Sequence, residues 1–321
     1  MKYTYHLFGV DGDPSLLCPE SVALFWVLNS QANNISQYEV VFSNNTDLSP
    51  IKELPLLIVD SHISDKHIEY HAGFNDIIQY LIKNNQFKGN TSLSLDIIAA
   101  LEFLTTEFKY MTLYQLYLNK KNYTNYTRKQ FSKLFYWPAW YTAPLQIRSK
   151  VRDICNQTLQ LEYLPIDDEE VQEISANKEE DATVEDELTQ SKSLKLSQIT
   201  KRNKLEELKS FKHHLQYCTK LCELIDSWQE LKTNIQVDPQ TLQILETYFT
   251  SNFYIQISLP EGDSILKYLK RNLQEQEVSI ITDKIAHYSY LDNKLTIREP
   301  SFSEQGNMAM SLYHKVKAYT A

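Results

Sequence analysis

The stretch "KELPLLIVD", residues 52–60, decides how the first part of this chain is built. Pro55 stands directly before a run of apolar residues that is typical of a buried strand. Proline removes one hydrogen bond from a sheet, so within sheets it is confined to a strand's first residue, an edge or a bulge. A Leu-Pro step is also a plausible place for a cis peptide bond. Pro55 is therefore expected at a strand's entrance, where it serves either the scaffold or a neighbouring site.

The segments around Pro55 predict a mixed arrangement of strands and helices. Their order is strand, helix, strand, proline-led strand, strand and helix, which is the order of a thioredoxin-like domain. A long helical region follows from about residue 92, as in glutathione-transferase-like architecture. We therefore expect an α+β N-terminal thioredoxin-like domain and an all-α C-terminal domain. The predicted strands are 4–10, 38–44, 54–60 and 66–72, and the predicted helices begin near Pro19 and Phe74.

Charge divides the chain into unlike parts. Residues 167–187 hold eleven acidic residues and one lysine, whereas residues 109–152 hold nine basic residues and no acidic one. The acidic stretch has few apolar residues and no aromatic one, so it buries too little surface to offset its ordering entropy. It is predicted to be a disordered linker. The expected bounds are 1–90 for the thioredoxin-like domain, 91–165 for the first helical part, 166–193 for the acidic linker and 194–321 for the remaining helices.

Composition excludes several classes of protein. The 321 residues include only 6 glycines, and neither the GxGxxG nor the GxxxxGK[ST] phosphate-binding pattern occurs. The 4 cysteines are widely spaced and predict no disulfide framework. No apolar run approaches the roughly 20 residues that a membrane-spanning helix needs. The sequence predicts no cofactor, and a role at a membrane would be peripheral.

One candidate site is a thiol at Cys18, directly before a helix that starts with Pro19. A helix N-terminus favours the thiolate and is expected to lower the thiol's pKa. Glutathione binding in this architecture also needs an acidic residue and a serine opening the helix after the proline-led strands. Those positions fall on Gly73 and Phe74, which provide neither group. A catalytic thiol stays an alternative, and Pro55 is interpreted as structural.

A second candidate, a metal site, rests on His214, Cys218 and Cys222, which share one face of a predicted helix. Both cysteines also belong to an apolar stripe along that helix, where free cysteine acts as a small hydrophobe. Core packing is therefore predicted, and no metal. The stripe comprises Leu205, Leu208, Phe211, Leu215, Cys218, Cys222, Ile225 and Trp228.

A third candidate is a docking surface in the basic region, where eleven aromatic residues interleave with the positive charges of residues 109–152. Within it, "FYWPAWYTAPLQIR" (135–148) contains two prolines, which are expected to break helical structure, and a cluster of large aromatics. Aromatic and basic residues suit a protein or membrane interface. No nucleic-acid-binding motif accompanies them. The predicted anchors are Tyr136, Trp137, Trp140 and Tyr141, with Arg128, Lys129 and Lys133 at the rim.

Three stretches resemble one known family. They are "VFSNNTDLSP" (41–50), "YQLYLNKKNYTNYTRKQFSKLFYWPAWYTAPLQIRS" (114–149) and "FSEQGNMAMSLYH" (302–314). They are similar to the fungal metaxin-type, 37-kDa subunit of the mitochondrial sorting and assembly machinery, and the likeness runs along most of the chain. The resemblance implies a glutathione-transferase-like fold without transferase activity. It also implies a peripheral location on the cytosolic face of the mitochondrial outer membrane.

The same resemblance implies partners. It implies a barrel-forming subunit, a second metaxin-like subunit and contact with the general import translocase. Its implied role is the insertion and release of β-barrel precursors. Two alternatives stay open at this point. One is a glutathione-dependent enzyme that uses Cys18, and the other is a transferase-like adaptor in translation complexes.

Overall fold

A computed structural model gives the fold of the chain. It describes residues 2–30, 38–61, 67–84, 93–135, 139–159, 192–273, 275–289 and 294–306. Residues 166–191 of the predicted acidic linker lie outside these ranges, and a helix is present from Lys192.

The N-terminal part is a mixed sheet with helices, as predicted. Strand β1 is central: it runs parallel to β3 and antiparallel to β4, and β5 pairs antiparallel with β4. The Leu54–Pro55 peptide bond is cis, and Pro55 precedes β4 as expected. Strand β6, which comes from the far end of the chain, pairs with β3 at the opposite edge and was not predicted. The strands are β1 (Lys2–Val10), β2 (Asp13–Pro14), β3 (Tyr38–Ser43), β4 (Leu56–Ser61), β5 (His67–Ala72) and β6 (Ile297–Arg298).

The rest of the described chain is mainly helical. Three π-helical turns, Leu104–Phe108, Tyr114–Leu118 and Tyr123–Thr127, interrupt the helical segments between Leu95 and Leu134. The helices are α1 (Pro19–Ser30), α2 (Phe74–Lys83), α3 (Leu95–Phe103), α4 (Lys109–Leu113), α5 (Lys120–Asn122), α6 (Arg128–Leu134), α7 (Ala139–Thr158), α8 (Lys192–Asn234), α9 (Pro239–Ser258), α10 (Gly262–Asn272) and α11 (Glu275–Ser289).

The sheet and the helices share one hydrophobic core. Trp26 of α1 stacks on Tyr288 of α11 at 5.1 Å between ring centroids and also contacts Tyr254 of α9. Phe74, the first residue of α2, packs against Tyr248 of α9 at 4.4 Å. Aromatic rings of this kind bury large apolar areas. Helix α9 therefore joins the N-terminal part to the helical part.

The predicted apolar stripe of α8 is only partly buried. Cys218, Ile225 and Trp228 are in the core, but the four earlier members, Leu205, Leu208, Phe211 and Leu215, are exposed. Steps of three residues outnumber steps of four in the stripe, whereas a helix repeats every 3.6 residues. The stripe therefore drifts around the helix and leaves the core.

The expectation that both prolines of the aromatic stretch break helical structure is wrong at Pro144, which lies inside α7. Proline in a helix removes the hydrogen bond to the carbonyl four residues earlier, here that of Trp140. Pro144 is buried, so packing of its ring offsets part of that loss. The helix that carries the aromatic cluster is thus continuous from Ala139 to Thr158.

Candidate partner-docking site

The thiol of Cys18 is partly buried and hydrogen-bonded rather than activated. It donates a hydrogen bond to the Leu54 carbonyl at 3.2 Å and accepts one from the Ser21 hydroxyl at 3.2 Å. Burial, and then the nearby Glu20 carboxylate, raise the pKa of the Cys18 thiol to about 11. The expectation of a lowered pKa is therefore wrong, because burial outweighs the effect of the helix N-terminus. At neutral pH this cysteine is a thiol and a poor nucleophile.

The position of a glutathione site is filled by structural residues. Gly73 precedes α2 with a positive φ of 83°, and its amide donates to the Pro55 carbonyl at 2.8 Å. No side chain caps the helix there, and Phe74 is fully buried. A carboxylate oxygen of Glu20 lies 3.8 Å from the point where a Cβ on Gly73 would stand. Gly73 and Phe74 therefore offer no carboxylate or hydroxyl at the start of α2.

Glu20 is held by a lysine from the helical region. The Lys109 ammonium lies 2.8 Å from the Glu20 carboxylate, and both side chains are largely buried. Burial by itself would lower the pKa of Lys109, but the adjacent carboxylate raises it above its ordinary value. This ion pair joins α1 to α4 across the two parts of the fold.

A C-terminal strap, residues 294–306, closes the other edge of the sheet. The Arg298 guanidinium contacts the Glu39 carboxylate at 3.2 Å and donates two hydrogen bonds, of 2.8 and 2.9 Å, to the Glu304 carboxylate. The Arg298 guanidinium and the Ser301 amide hold the pKa of Glu304 at about 2. The buried His6 ring stands 3.9 Å from the same carboxylate. The strap is thus fixed by charge as well as by strand pairing.

Three distant segments meet at one junction, residues 43–45, 134 and 303–306. The Asn44 side chain donates to the Leu134 carbonyl at the end of α6 and accepts from the Gly306 amide at 2.7 Å. The Ser43 hydroxyl donates to the backbone carbonyl of Glu304. Asn45 donates to the Ser303 carbonyl at 3.3 Å. Each segment belongs to a different one of the three stretches that carry the family resemblance.

A cavity of about 680 Å³ opens beside the junction. A cavity of this size accommodates a side chain or a short segment of a partner. Its walls come from the turn after β1, the end of β3, the end of α6 and the strap. The lining residues include Asp11, Asn44, Lys133, Phe135, Arg298 and Glu299.

One of the predicted docking residues lies at this cavity, and the other described ones lie on α6 and α7. Lys133 is exposed at the end of α6 and lines the cavity. Arg128 lies over the Tyr141 ring at 5.9 Å, and Tyr141 meets Trp140 edge to face at 6.1 Å. Lys129 is exposed on α6. Tyr136 and Trp137 lie outside the described residues.

We call residues 128–141 the basic-aromatic corner. Sequence reasoning singled out this corner but not Asn44, which bonds to it at Leu134, nor Arg298 and Glu304, which hold the strap on the sheet. The signal was present, because these residues fall in or beside the stretches that carry the resemblance. Nothing in the sequence alone indicated that the stretches meet in space.

Two members of the candidate metal site, Cys218 and Cys222, pack in or against the core. Cys218 is fully buried, and burial raises its pKa to about 12. Its sulfur stands 3.5 Å from a ring nitrogen of His214, while Cys222 is only partly buried. Among the described residues, no three metal-ligating side chains come together. The interpretation of Cys218 as a core residue agrees with this burial.

The fold and the junction define a class of protein. In it, a mixed sheet and a helical region share one core, and the strap joins them at the junction. Comparison with protein families gives two matches. Residues 21–148 match the Tom37 family, described as an outer mitochondrial membrane transport complex protein, and residues 166–319 match the Tom37 C-terminal domain. The chain belongs to the Tom37 family, which confirms the resemblance to the 37-kDa metaxin-type subunit.

Family membership supports a mitochondrial outer-membrane location and a part in protein transport. No curated protein matches the chain. Among solved structures, FzlA from C. crescentus matches 50% of this chain at 13% identity, with a TM-score of 0.30. The match spans 65% of that chain. No helix in the described ranges is both long and apolar enough to cross a bilayer.

Proposed function

We propose that this chain is a non-catalytic, peripheral subunit of the mitochondrial sorting and assembly machinery. It sits on the cytosolic face of the outer membrane and supports the insertion and release of β-barrel precursors. Its partners are the barrel-forming subunit and a second metaxin-like subunit, and it links the complex to the general import translocase. Membership in a transport-complex family supports this proposal.

The observation that carries the proposal is the junction. The three resemblance-bearing stretches lie far apart in sequence, yet Asn44 and the strap bring them to one surface. That surface combines a cavity with basic and aromatic side chains, which is the composition of a protein-binding hot spot. A scaffold subunit needs such a surface, whereas an enzyme would need an activated group near its cavity.

We also propose a more specific fold than a mixed sheet with a helical region. We assign the sheet order β3–β1–β4–β5, with its proline-led β4, to a thioredoxin-like domain of residues 1–90. We assign residues 91–165 and 194–321 to a glutathione-transferase-like helical domain, with 166–193 as its acidic linker. Two observations support a glutathione-transferase-like fold without transferase activity. Packing residues occupy the ligand position at Gly73, and the Cys18 thiol stays protonated.

The basic-aromatic corner is the proposed contact with a complex subunit. Trp140 and Tyr141 act as anchors together with Tyr136 and Trp137, and Arg128, Lys129 and Lys133 form the rim. Tyrosine and tryptophan bury much area at a small entropy cost, and arginine offers several hydrogen-bond donors, so these residues are enriched at interface hot spots. The exposure of Tyr141 and the partial exposure of Trp140 leave them accessible to a partner.

The test is a tagged purification of the full chain from mitochondria in mild detergent, with the bound proteins identified. The wild-type chain is expected to retain a large outer-membrane barrel protein and a second metaxin-like chain. The Trp140→Ala, Tyr141→Ala double variant should retain at least about tenfold less of them. The matched control is Leu95→Ala, Tyr70→Ala, which removes exposed apolar side chains elsewhere.

Each result has a distinct meaning. Recovery of the wild-type chain alone would overturn the scaffold proposal. Equal recovery by the corner variant and the control would overturn the assignment of the corner. A circular-dichroism melt of each variant separates lost binding from lost folding, and a collapsed corner variant would show that Trp140 and Tyr141 serve the core.

A further inference from the structure

Helix α8 exposes a cluster of large apolar side chains. Leu205, Leu208, Phe211 and Leu215 are each between 42% and 68% exposed. They account for four large hydrophobic residues within eleven positions of one helix. Exposed apolar patches on a folded protein usually mark an interaction site. We call these four residues the α8 exposed face.

The four residues point in one direction, away from the core. At 3.6 residues per turn they fall within an arc of about 120°. The side chains that bury α8, such as Tyr217, Leu221 and Trp228, lie on the opposite side of the helix. The α8 exposed face is therefore the outer surface of the molecule along this helix.

The same surface is basic. Between residues 200 and 215, the described side chains include four exposed lysines and one exposed glutamate, Glu207. By helical spacing, Lys201, Lys204 and Lys212 share the arc with the apolar residues, and Lys209 flanks it. All four lysine side chains are exposed. This surface therefore has apolar side chains that favour burial away from water and positive side chains that favour contact with anions.

We propose that the α8 exposed face binds the surface of an anionic lipid bilayer. Leucine and phenylalanine side chains enter the boundary between headgroups and acyl chains, while lysines extend to the lipid phosphates. Each basic residue near an anionic surface adds about 1 kcal/mol of attraction. The proposal rests on the outer-membrane location in the proposed function, but it requires none of the protein partners named there.

Two other occupants are less suited to this face. A second copy of the chain would bring two positively charged faces together, which costs energy. The acidic segment 167–187 would pair with the lysines, but it has no aromatic residue and few apolar ones to cover Phe211 and the leucines. A bilayer satisfies both the charge and the apolar surface.

The experiment measures binding of the purified full chain to vesicles by co-sedimentation. One set of vesicles is phosphatidylcholine, and the other contains about 30% phosphatidylserine. The apolar variant is Leu208→Ser, Phe211→Ser, with Leu95→Ser, Ile280→Ser as its exposed control. The charge variant is Lys204→Glu, Lys209→Glu, with Lys267→Glu, Lys270→Glu as its exposed control on α10.

The wild-type chain and both controls are expected to bind the anionic vesicles and to release them at high salt, because salt screens the lysines. The apolar and the charge variants should each bind at least about tenfold more weakly. Binding of the full chain to neither vesicle, or equal binding by variants and controls, would overturn the proposal.

Two further outcomes would also overturn it, and each would name the occupant. Loss of a dimer in the apolar variant, measured by sedimentation, would assign the face to a second copy. A crosslink from Lys204 to residues 167–187 that persists with anionic vesicles present would assign it to the acidic segment. None of these outcomes depends on the protein partners, so the purification from mitochondria and the vesicle assay can fail separately.

Discussion

At the scale of single residues, Arg298 and Glu304 hold the strap on the sheet. Their paired hydrogen bonds form a fork between guanidinium and carboxylate, which is stronger than a single contact. Glu39 shares the same guanidinium. The sheet edge formed by β3 is therefore closed by β6 and a charge network, and it is not left open for pairing with other chains.

The first prediction concerns acid stability. The folded-state pKa of Glu304 is about 2, below its ordinary value of 4.5, so its contribution is complete above pH 4.5 and is lost as pH falls through 2. Glu304→Gln should lower the free energy of unfolding at pH 7 by about 1–2 kcal/mol, a figure reduced for solvent screening of the partly exposed pair.

Chemical unfolding at a series of pH values checks this prediction. The loss caused by Glu304→Gln should shrink between pH 4.5 and 2, where the wild-type carboxylate becomes protonated. Burial also lowers the pKa of His6, so both proteins should lose stability as pH falls below 6.5. A constant difference between the two proteins down to pH 2 would contradict the role given to Glu304.

A second residue-scale prediction concerns the thiol. With its pKa near 11, Cys18 should react with iodoacetamide at a rate that keeps rising up to about pH 11. Mass spectrometry of the labelled peptide measures that rate, and the unfolded chain provides the reference. Rapid labelling that levels off near neutral pH would instead restore the alternative of a catalytic thiol. Glutathione titration of the native chain should then give measurable binding.

At the scale of elements, the Glu20–Lys109 pair couples α1 to α4. Glu20→Gln or Lys109→Met alone should cost about 2–3 kcal/mol of unfolding free energy, because each leaves a largely buried charge without its partner. The double variant should cost less than the sum of the two. The expected coupling is about 1–2 kcal/mol.

Denaturant unfolding of all four proteins completes this double-mutant cycle. The Lys220–Glu223 pair is the control, since its ions are 3.7 Å apart and more exposed than those of the Glu20–Lys109 pair. Its coupling should stay below about 0.5 kcal/mol. Additive effects of Glu20→Gln and Lys109→Met would mean that the pair does not hold the two parts together.

The elements also show what a sequence can and cannot predict. The four main strands, α1 and α2 follow from local patterns, because β-branched alternation, Pro55 and helical spacing act over a few residues. Strand β6 could not be predicted, since two residues carry no pattern and their partner β3 lies far away in sequence. The α8 stripe suggested a buried face, but its early members are exposed because the apolar spacing drifts from the helical repeat.

The candidate site was predictable in a similar measure. An acid-free run of aromatic and basic residues marked the corner, and within it Arg128 lies over the Tyr141 ring, which meets Trp140 edge to face. The cavity and the part of Asn44 depend on long-range hydrogen bonds that no local pattern encodes. The burial that raises the pKa of Cys18 is likewise a property of packing and not of sequence position.

At the scale of the whole molecule, the junction makes partner binding depend on the strap. Val40 donates its amide to the Thr296 carbonyl at 2.9 Å, and Gly306 donates to Asn44 at 2.7 Å. These bonds order the walls of the cavity next to the basic-aromatic corner. If the corner holds a complex subunit, loosening the strap should weaken that contact without removing any corner residue.

The variant Asn44→Ala, Arg298→Ala tests this dependence. Hydrogen exchange at the Val40 amide should speed up by about ten- to a hundredfold, because the strap loses its side-chain attachments. Amides of α9 should keep their protection, since the hydrogen bonds of Asn44 and Arg298 reach α6, β3 and the strap. The same variant should retain less of the partner proteins from mitochondria, whereas Arg271→Ala, on α10 and outside the junction, should retain the wild-type amount. Faster exchange with undiminished partner recovery would mean that the strap contributes to stability but not to docking.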